Sequence, residues 1–246
     1  MKIGILKADS VLEQFQIDFG EYPEMVSRVL SAATQLEGDD TLEFIAFDVE
    51  HGQYPEGIGD CDGYIITGSK KSVYDDEPWI HRLREFVVEL DKTKTPTVGI
   101  CFGHQMMAEA LGGKTEPADV GWRVGVHDAE VLTKAKFMRP VANQFALLYS
   151  HKDQVSKLPP GATLLASSDN CPNAMFTVGE HMLALQGHPE FIKEYSQGLM
   201  ELRQEMLGAE KFSAGIASLN VLTDQPLIAT WILRFLASSR PQARVE

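Results

Sequence analysis

Residues 95–113, TPTVGICFGHQMMAEALGG, carry the arrangement most able to do chemistry: a cysteine, Cys101, held between Gly99 and Gly103. β-Forming residues run into Gly-Ile-Cys-Phe-Gly, and a helical pattern follows at once. The spacing predicts strand, sharp turn and helix, with the Cys101 thiol at the apex. This is the cysteine counterpart of the G-x-S-x-G nucleophile elbow, whose glycines let the chain turn tightly enough to expose the nucleophile. A helix starting just after Cys101 brings its positive end near the sulfur and favours thiolate, the form that attacks carbonyl carbon. The chemistry to expect is covalent acyl transfer.

A nucleophilic thiol needs a base, and the base needs an orienting acid. Among the 7 histidines, His188 ends an apolar run in LALQGHPEF, residues 183–191, where Pro189 stops the strand and Glu190 follows at i+2. Residues two apart on extended backbone share a face, so the carboxylate of Glu190 can hold the imidazole in the tautomer that accepts the Cys101 proton. Acyl transfer also creates an oxyanion, which backbone N–H groups stabilise. The amide of Phe102 is one natural donor. A glycine ending a neighbouring strand, as Gly68 does in Ile65-Ile66-Thr67-Gly68-Ser69, can supply the second. Taken alone, His188 also fits a surface turn before proline, and Thr67-Gly68-Ser69 an ordinary strand end. Beside the elbow, the chemical reading outweighs these. His104, three residues past the nucleophile, is expected to pack or cap on the elbow helix rather than touch the site.

These residues need a scaffold of strands and helices. Ile3–Leu6, Leu42–Asp48, Tyr64–Thr67 and Thr97–Ile100 read as strands, with helical periodicity over Tyr22–Leu36 and from Pro78 through Trp79, Leu83, Phe86, Val87 and Leu90. Strands alternating with helices of about 10–15 residues imply βαβ units and a mostly parallel sheet. The second half changes character: Val126–Leu132, Phe145–Ser150, Thr163–Ser167, Ala174–Val178 and Met182–Gln186 are short strand candidates, with a hairpin turn at Gly179-Glu180. One helix is expected from Ile192 to about Leu207 and another over Leu227–Ser238. Neither repeat nor linker interrupts the chain. The expectation is one α/β domain over residues 1–246, antiparallel-rich in its second half.

Composition bounds the partners. With 246 residues, 44% of them hydrophobic, the chain can bury one large core. A formal charge of −13 argues against nucleic acid, which requires clustered Lys and Arg. No run of about 18 apolar residues exists to span a membrane. MKIGILKADS reads as a buried strand rather than a signal peptide. Cys61, Cys101 and Cys171 make an odd number without a CxxC pair, which disfavours a disulfide framework or zinc site and fits a reducing, cytoplasmic setting. No metal or cofactor is expected. Cys61 reads as a semi-buried turn residue, Cys171 as a loop residue, Met106 and Met107 as core. Asp75-Asp76-Glu77 reads as acids at a helix start, and Glu37, Asp39 and Asp40 as a solvated turn.

Together GICFGHQ, HPEF and IITGSKKSVYDDEPW resemble the class I (triad) glutamine amidotransferases, with the stand-alone proteins similar to the amidotransferase domain of GMP synthase as the nearest pattern. The resemblance is strongest over residues 40–195 and leaves 208–246 as a helical extension. It implies a three-layer flavodoxin-like open sheet carrying the elbow. It also implies Cys101 as nucleophile, His188 as base, Glu190 as orienting acid, and Gly68 and Phe102 as the oxyanion hole. Gln105 matches the family's substrate-contacting glutamine. Trp122, Arg123 and Val124, within Gly121–Gly125, fall where family members present backbone to the substrate's α-amino and carboxylate ends. Ser150-His151-Lys152-Asp153 matches a family H-x-D segment near the site. Phe102 and His104 depart from the residues common in synthetase-linked relatives. Neither a synthetase module nor a G-x-x-x-x-G-K-[ST] phosphate loop accompanies the motifs, so ammonia would pass to a separate synthase or to solvent.

The leading expectation is hydrolysis of glutamine through a γ-glutamyl thioester. A γ-glutamyl peptidase or hydrolase fits the same residues. A cysteine α/β-hydrolase would need its acid between nucleophile and histidine. A chaperone-type or deglycase elbow would place histidine where Phe102 stands. A non-catalytic regulator retaining the fold is the alternative outside enzymology.

Overall fold

The computed structural model describes residues 1–37 and 41–239 (for 35–37 the backbone alone); Glu37, expected in a turn, instead ends a helix, while Asp39, Asp40 and the last residues of the 208–246 extension lie outside the described residues. The first half alternates β1 (Lys2–Lys7), α1 (Glu13–Phe19), α2 (Tyr22–Glu37), β2 (Glu43–Asp48), β3 (Gly63–Ile66), α3 (Pro78–Thr93), β4 (Thr97–Ile100) and α4 (Phe102–Ala110). There follow β5 (Lys114–Pro117), β6 (Arg123–Val131), β7 (Gln144–His151), β8 (Asp153–Lys157), β9 (Ala162–Ser168), β10 (Cys171–Val178) and β11 (Met182–Leu185). The helices α5 (Lys193–Leu202), α6 (Gln204–Ser218) and α7 (Gln225–Ser238) come last.

The principal sheet has 9 strands in the order β2-β1-β3-β4-β11-β10-β9-β6-β7. From β2 to β11 every pairing is parallel, and from β11 to β7 every pairing is antiparallel. Every residue of β3, β4 and β11 is buried, as continuous apolar strands with both faces covered must be. Val26, Leu30 and Ala33 of α2 join Ile228, Trp231, Ile232 and Phe235 of α7 on one face. Leu83, Phe86 and Val87 of α3 join Met106 and Met107 of α4 on the other. The result is the expected three-layer α/β fold.

This order brings the C-terminal ends of β1, β3, β4 and β11 to one edge, where ligands of open α/β sheets bind. Asp9, Gly68, Cys101 and His188 lie just beyond those four ends.

Several local expectations need correction. The helix expected from Ile192 to Leu207 is two helices broken at Arg203, whose φ of −102° and ψ of 13° leave the helical region. Cys171 is not in a loop: it opens β10 and is buried. Three elements were not anticipated: α1, β5 and β8, the last two pairing as a separate antiparallel ribbon.

Candidate active site

The elbow turns as its spacing predicts. Cys101 sits between the end of β4 and the start of α4 with φ 53° and ψ −99°, a left-handed conformation that costs a non-glycine residue about 1–3 kcal/mol. Its N–H bonds to the Leu185 carbonyl of β11 at 2.9 Å, and its carbonyl accepts from Gln105 N–H at 3.0 Å. The flanking glycines are required by contact. A Cβ on Gly99 would lie 2.4 Å from the Gly103 carbonyl oxygen, and one on Gly103 would lie 2.5 Å from that of Ile66.

His188 and Glu190 meet as their spacing requires. His188 Nδ1 donates to Glu190 Oε1 at 2.7 Å, and the two residues are 3% and 4% exposed. His188 N–H bonds to the Leu148 carbonyl of β7 at 2.8 Å, anchoring the segment after β11. The imidazole stacks on Phe191, with ring centroids 3.8 Å apart and planes 13° from parallel. Burial opposes its charged form, but the Glu190 carboxylate and then the Cys101 sulfur outweigh burial and raise His188 to about 10. His188 Nε2 is buried and has no hydrogen-bond partner among the described residues.

Gly68 lies against both groups: a Cβ there would sit 3.1 Å from His188 Cε1 and 3.8 Å from Cys101 Cβ. Among the described residues, neither Gly68 N–H nor Phe102 N–H donates to a protein acceptor. Phe102 opens α4, where backbone donors have no intrahelical partner.

Cys101, Gly68 and His188 line a cavity of about 530 Å³ that also takes in Gln105, Trp122, Ser150, His151, Lys152 and Asp153. Gln105 gives its Nε2 hydrogens to the Asp153 carbonyl at 2.7 Å and to Gln186 Oε1 at 3.1 Å, which leaves its own Oε1 without a partner among the described residues. His151 donates from Nδ1 to the Asp153 carbonyl at 2.8 Å; burial, with Arg123 and His188 nearby, holds it at about 3. Its Nε2 is a buried acceptor without a protein partner. Asp153 Oδ2 accepts from Ser72 Oγ.

Other residues singled out from the sequence lie apart. Arg123 and Val124 are neighbours on β6, so their side chains leave opposite faces, and neither lines this cavity. Arg123 sits 4.7 Å over the Tyr149 ring and donates to Ser168 Oγ at 2.5 Å, while Val124 packs with Met200 and Leu207. His104 is buried on Phe176, with Nε2 at 2.8 Å from the Asn173 carbonyl, and burial holds it at about 4. Burial pushes the Cys171 thiol up to about 12.

Sequence reasoning missed Phe191, Asp9 and Arg203. Phe191 was visible as the residue after HPE, but nothing in the sequence alone says that its ring turns back on the histidine. Asp9, 2% exposed and paired with Lys70 at 2.7 Å, had a signal: an acid just past an apolar strand of a parallel sheet.

The family model for class-I glutamine amidotransferases matches residues 39–204. Gamma-glutamyl peptidase 3 of Arabidopsis thaliana is 33% identical over 202 residues, 79% of this chain and 81% of that protein. The glutamine-hydrolysing GMP synthase of Herminiimonas arsenicoxydans is 40% identical over 138 residues, 52% of this chain but 24% of that enzyme. The crystal structure of a glutamine amidotransferase from Methylobacillus flagellatus superposes with a TM-score of 0.74 at 20% identity, covering 100% of this chain and 98% of the other. An elbow cysteine, a buried histidine–glutamate pair beside it and a family match over most of the chain converge: the protein belongs to the class-I glutamine amidotransferases.

Proposed function

We propose that the protein hydrolyses γ-glutamyl amides through a γ-glutamyl thioester on Cys101. The observation that carries this reading is the Cys101–His188–Glu190 arrangement, with the imidazole raised to about 10 beside the sulfur. His188 takes the thiol proton, and the thiolate attacks the γ-carbonyl carbon. The oxyanion accepts from Gly68 N–H and Phe102 N–H. His188 then gives its proton to the leaving nitrogen as the C–N bond breaks, and the amine departs. Neutral His188 takes a proton from water, whose oxygen attacks the thioester. The C–S bond then breaks, glutamate leaves, and His188 returns the proton to the sulfur. Glu190 keeps Nδ1 protonated, so that Nε2 faces the sulfur throughout. Gln105 Oε1 and His151 Nε2, both without partners among the described residues, are acceptors suited to the glutamyl α-ammonium.

Glutamine is the smallest substrate of this class, and its ammonia would go to a separate synthase or to solvent. A larger amide is favoured by the cavity, whose volume of about 530 Å³ falls in the range that encloses drug-sized ligands. The likeness to a gamma-glutamyl peptidase over 79% of the chain supports the same second reading.

The test is a hydrolysis panel on the purified protein. Glutamine and several γ-glutamyl dipeptides are compared by kcat/KM, with mass spectrometry for an acyl adduct on Cys101. Cys101→Ser is expected to abolish turnover and adduct while leaving thermal unfolding unchanged. Turnover retained in that variant would sink the mechanism, and absence of turnover on every substrate would favour a non-catalytic protein that keeps the fold.

A further inference from the structure

The cavity has more wall than a γ-glutamyl group needs, and part of the surplus adjoins His188 through Phe191 and Tyr195. Because His188 must protonate the leaving nitrogen, the amine product has to occupy that side. Phe191 stacks on His188, Tyr195 meets Phe191 edge-on at 4.8 Å, and α5 continues the wall to Leu199 and Leu202. Leu12, Leu202 and Met206 also line the cavity and are 40%, 52% and 66% exposed. Such an apolar rim gains nothing from ammonia, which has no apolar surface to bury.

Arg203 stands in this rim. It occupies the break between α5 and α6, half-buried, with its guanidinium 5.0 Å over the Trp122 ring and Nη1 donating to Ser150 Oγ at 2.8 Å. Lys70 and Lys71, cations of the same cavity, are each paired with a carboxylate at 2.7 Å, and Lys152, which also lines it, is exposed on a loop with no aromatic or hydroxyl contact to fix its ammonium among the described residues. No carboxylate pairs with Arg203 among the described residues, and its remaining donors are free. Aromatic stacking and a hydroxyl fix its planar fork without neutralising it, the arrangement suited to gripping an incoming carboxylate.

We propose that Arg203 determines specificity by binding the carboxylate of the leaving amine, so that the preferred substrate is a γ-glutamyl dipeptide whose second residue is a bulky apolar α-amino acid. This rests on the γ-glutamyl hydrolysis proposed above. The rim takes the apolar side chain and Arg203 the terminal carboxylate. The carboxylate on the α-carbon of the leaving residue marks the dipeptide out from glutamine and from simple γ-glutamyl amines.

The test measures kcat/KM of the full chain for γ-glutamyl-leucine, γ-glutamyl-leucinamide, γ-glutamyl-glycine and glutamine. Wild type is expected to prefer γ-glutamyl-leucine to its amide by about tenfold or more, the discrimination one charge-assisted contact supplies. It is also expected to prefer leucine to glycine at the second position. Arg203→Gln should bring the acid-to-amide ratio to within about twofold of one, and Arg203→Lys should recover part of it. Thermal unfolding of both variants separates a lost contact from a lost fold. A wild-type ratio near one, or a ratio that survives in Arg203→Gln with unfolding unchanged, overturns the assignment of Arg203 while glutamine turnover leaves the hydrolase reading standing. No turnover of any γ-glutamyl amide and no adduct on Cys101 overturns both.

Discussion

Replacing Glu190 by glutamine separates the charge of the carboxylate from its shape. The amide oxygen of glutamine can still accept the Nδ1–H bond that spans 2.7 Å, so the ring keeps its orientation. What disappears is a negative charge on a pair 3% and 4% exposed. In the native site, burial disfavours imidazolium and Glu190 is the leading influence against it, lifting His188 from 6.5 to about 10. Loss of a buried opposite charge at this range lowers such a group by about 1–3 pH units. A histidine raised on folding stabilises the native state fully below its unfolded value near 6.5, and the contribution is lost as pH rises through about 10. Glu190→Gln should therefore be less stable than wild type by about 1–4 kcal/mol at pH 6, with the gap narrowing as pH approaches 10. Turnover should fall by about 10²–10⁴, less than in Cys101→Ser. Histidine ¹³C NMR titration, assigned with His188→Ala, reads the protonation directly, and thermal unfolding at pH 6, 8 and 10 reads the linkage. His104, His127 and His151, held at about 4, 4 and 3, will already be neutral at pH 7. A His188 midpoint unmoved by the substitution, or a stability gap that widens with pH, would refute the charge-pair account.

Two further predictions concern the scaffold. Gly103→Ala puts a methyl 2.5 Å from the Ile66 carbonyl oxygen, and overpacking of this kind costs about 1–3 kcal/mol; unfolding temperature and turnover should fall together, whereas turnover lost at unchanged stability would show a purely local effect. Trp231→Ala empties a fully buried site between α7 and the sheet and should cost about 3–5 kcal/mol in denaturant unfolding, with little change in KM for the folded fraction.

The chemistry was legible where function demands particular residue types at short spacing. Cys101 between two glycines and His188 two residues from Glu190 are local patterns, and the structure brings them together. The strands that hold them were legible for a related reason. β3, β4 and β11 are buried on both faces and read as short apolar runs between turn signals. The missed elements lack such signals. Helix α1 contains no fully buried residue, so no apolar stripe announces it. Strand β5 is Lys-Thr-Glu-Pro, paired to β8, with Thr115 its one buried residue and no apolar run to announce it. The break at Arg203 escaped notice because apolar periodicity runs on from α5 into α6, while Gly208, with φ 76°, marks a second departure inside α6. Arg203 and Phe191 were beyond sequence reasoning because their positions depend on how α5 packs beside the segment following β11. Arg123 and Val124 illustrate the converse: alternation along β6 separates adjacent residues that a linear motif groups together.

The central place of β4 in the sheet has a consequence for biosynthesis. β4 pairs with β3 on one side and with β11 on the other, and β11 is the last strand among the described residues. A nascent chain that has emerged only as far as α4 carries its thiol at the end of a strand, Thr-Val-Gly-Ile, with one edge bare, the kind of edge that recruits other chains. His188 and Glu190 follow β11 directly, so the step that covers this edge also delivers the imidazole to Cys101. Closure of the exposed edge and arrival of the imidazole beside the thiol are then one event, and a chain truncated before β11 lacks both.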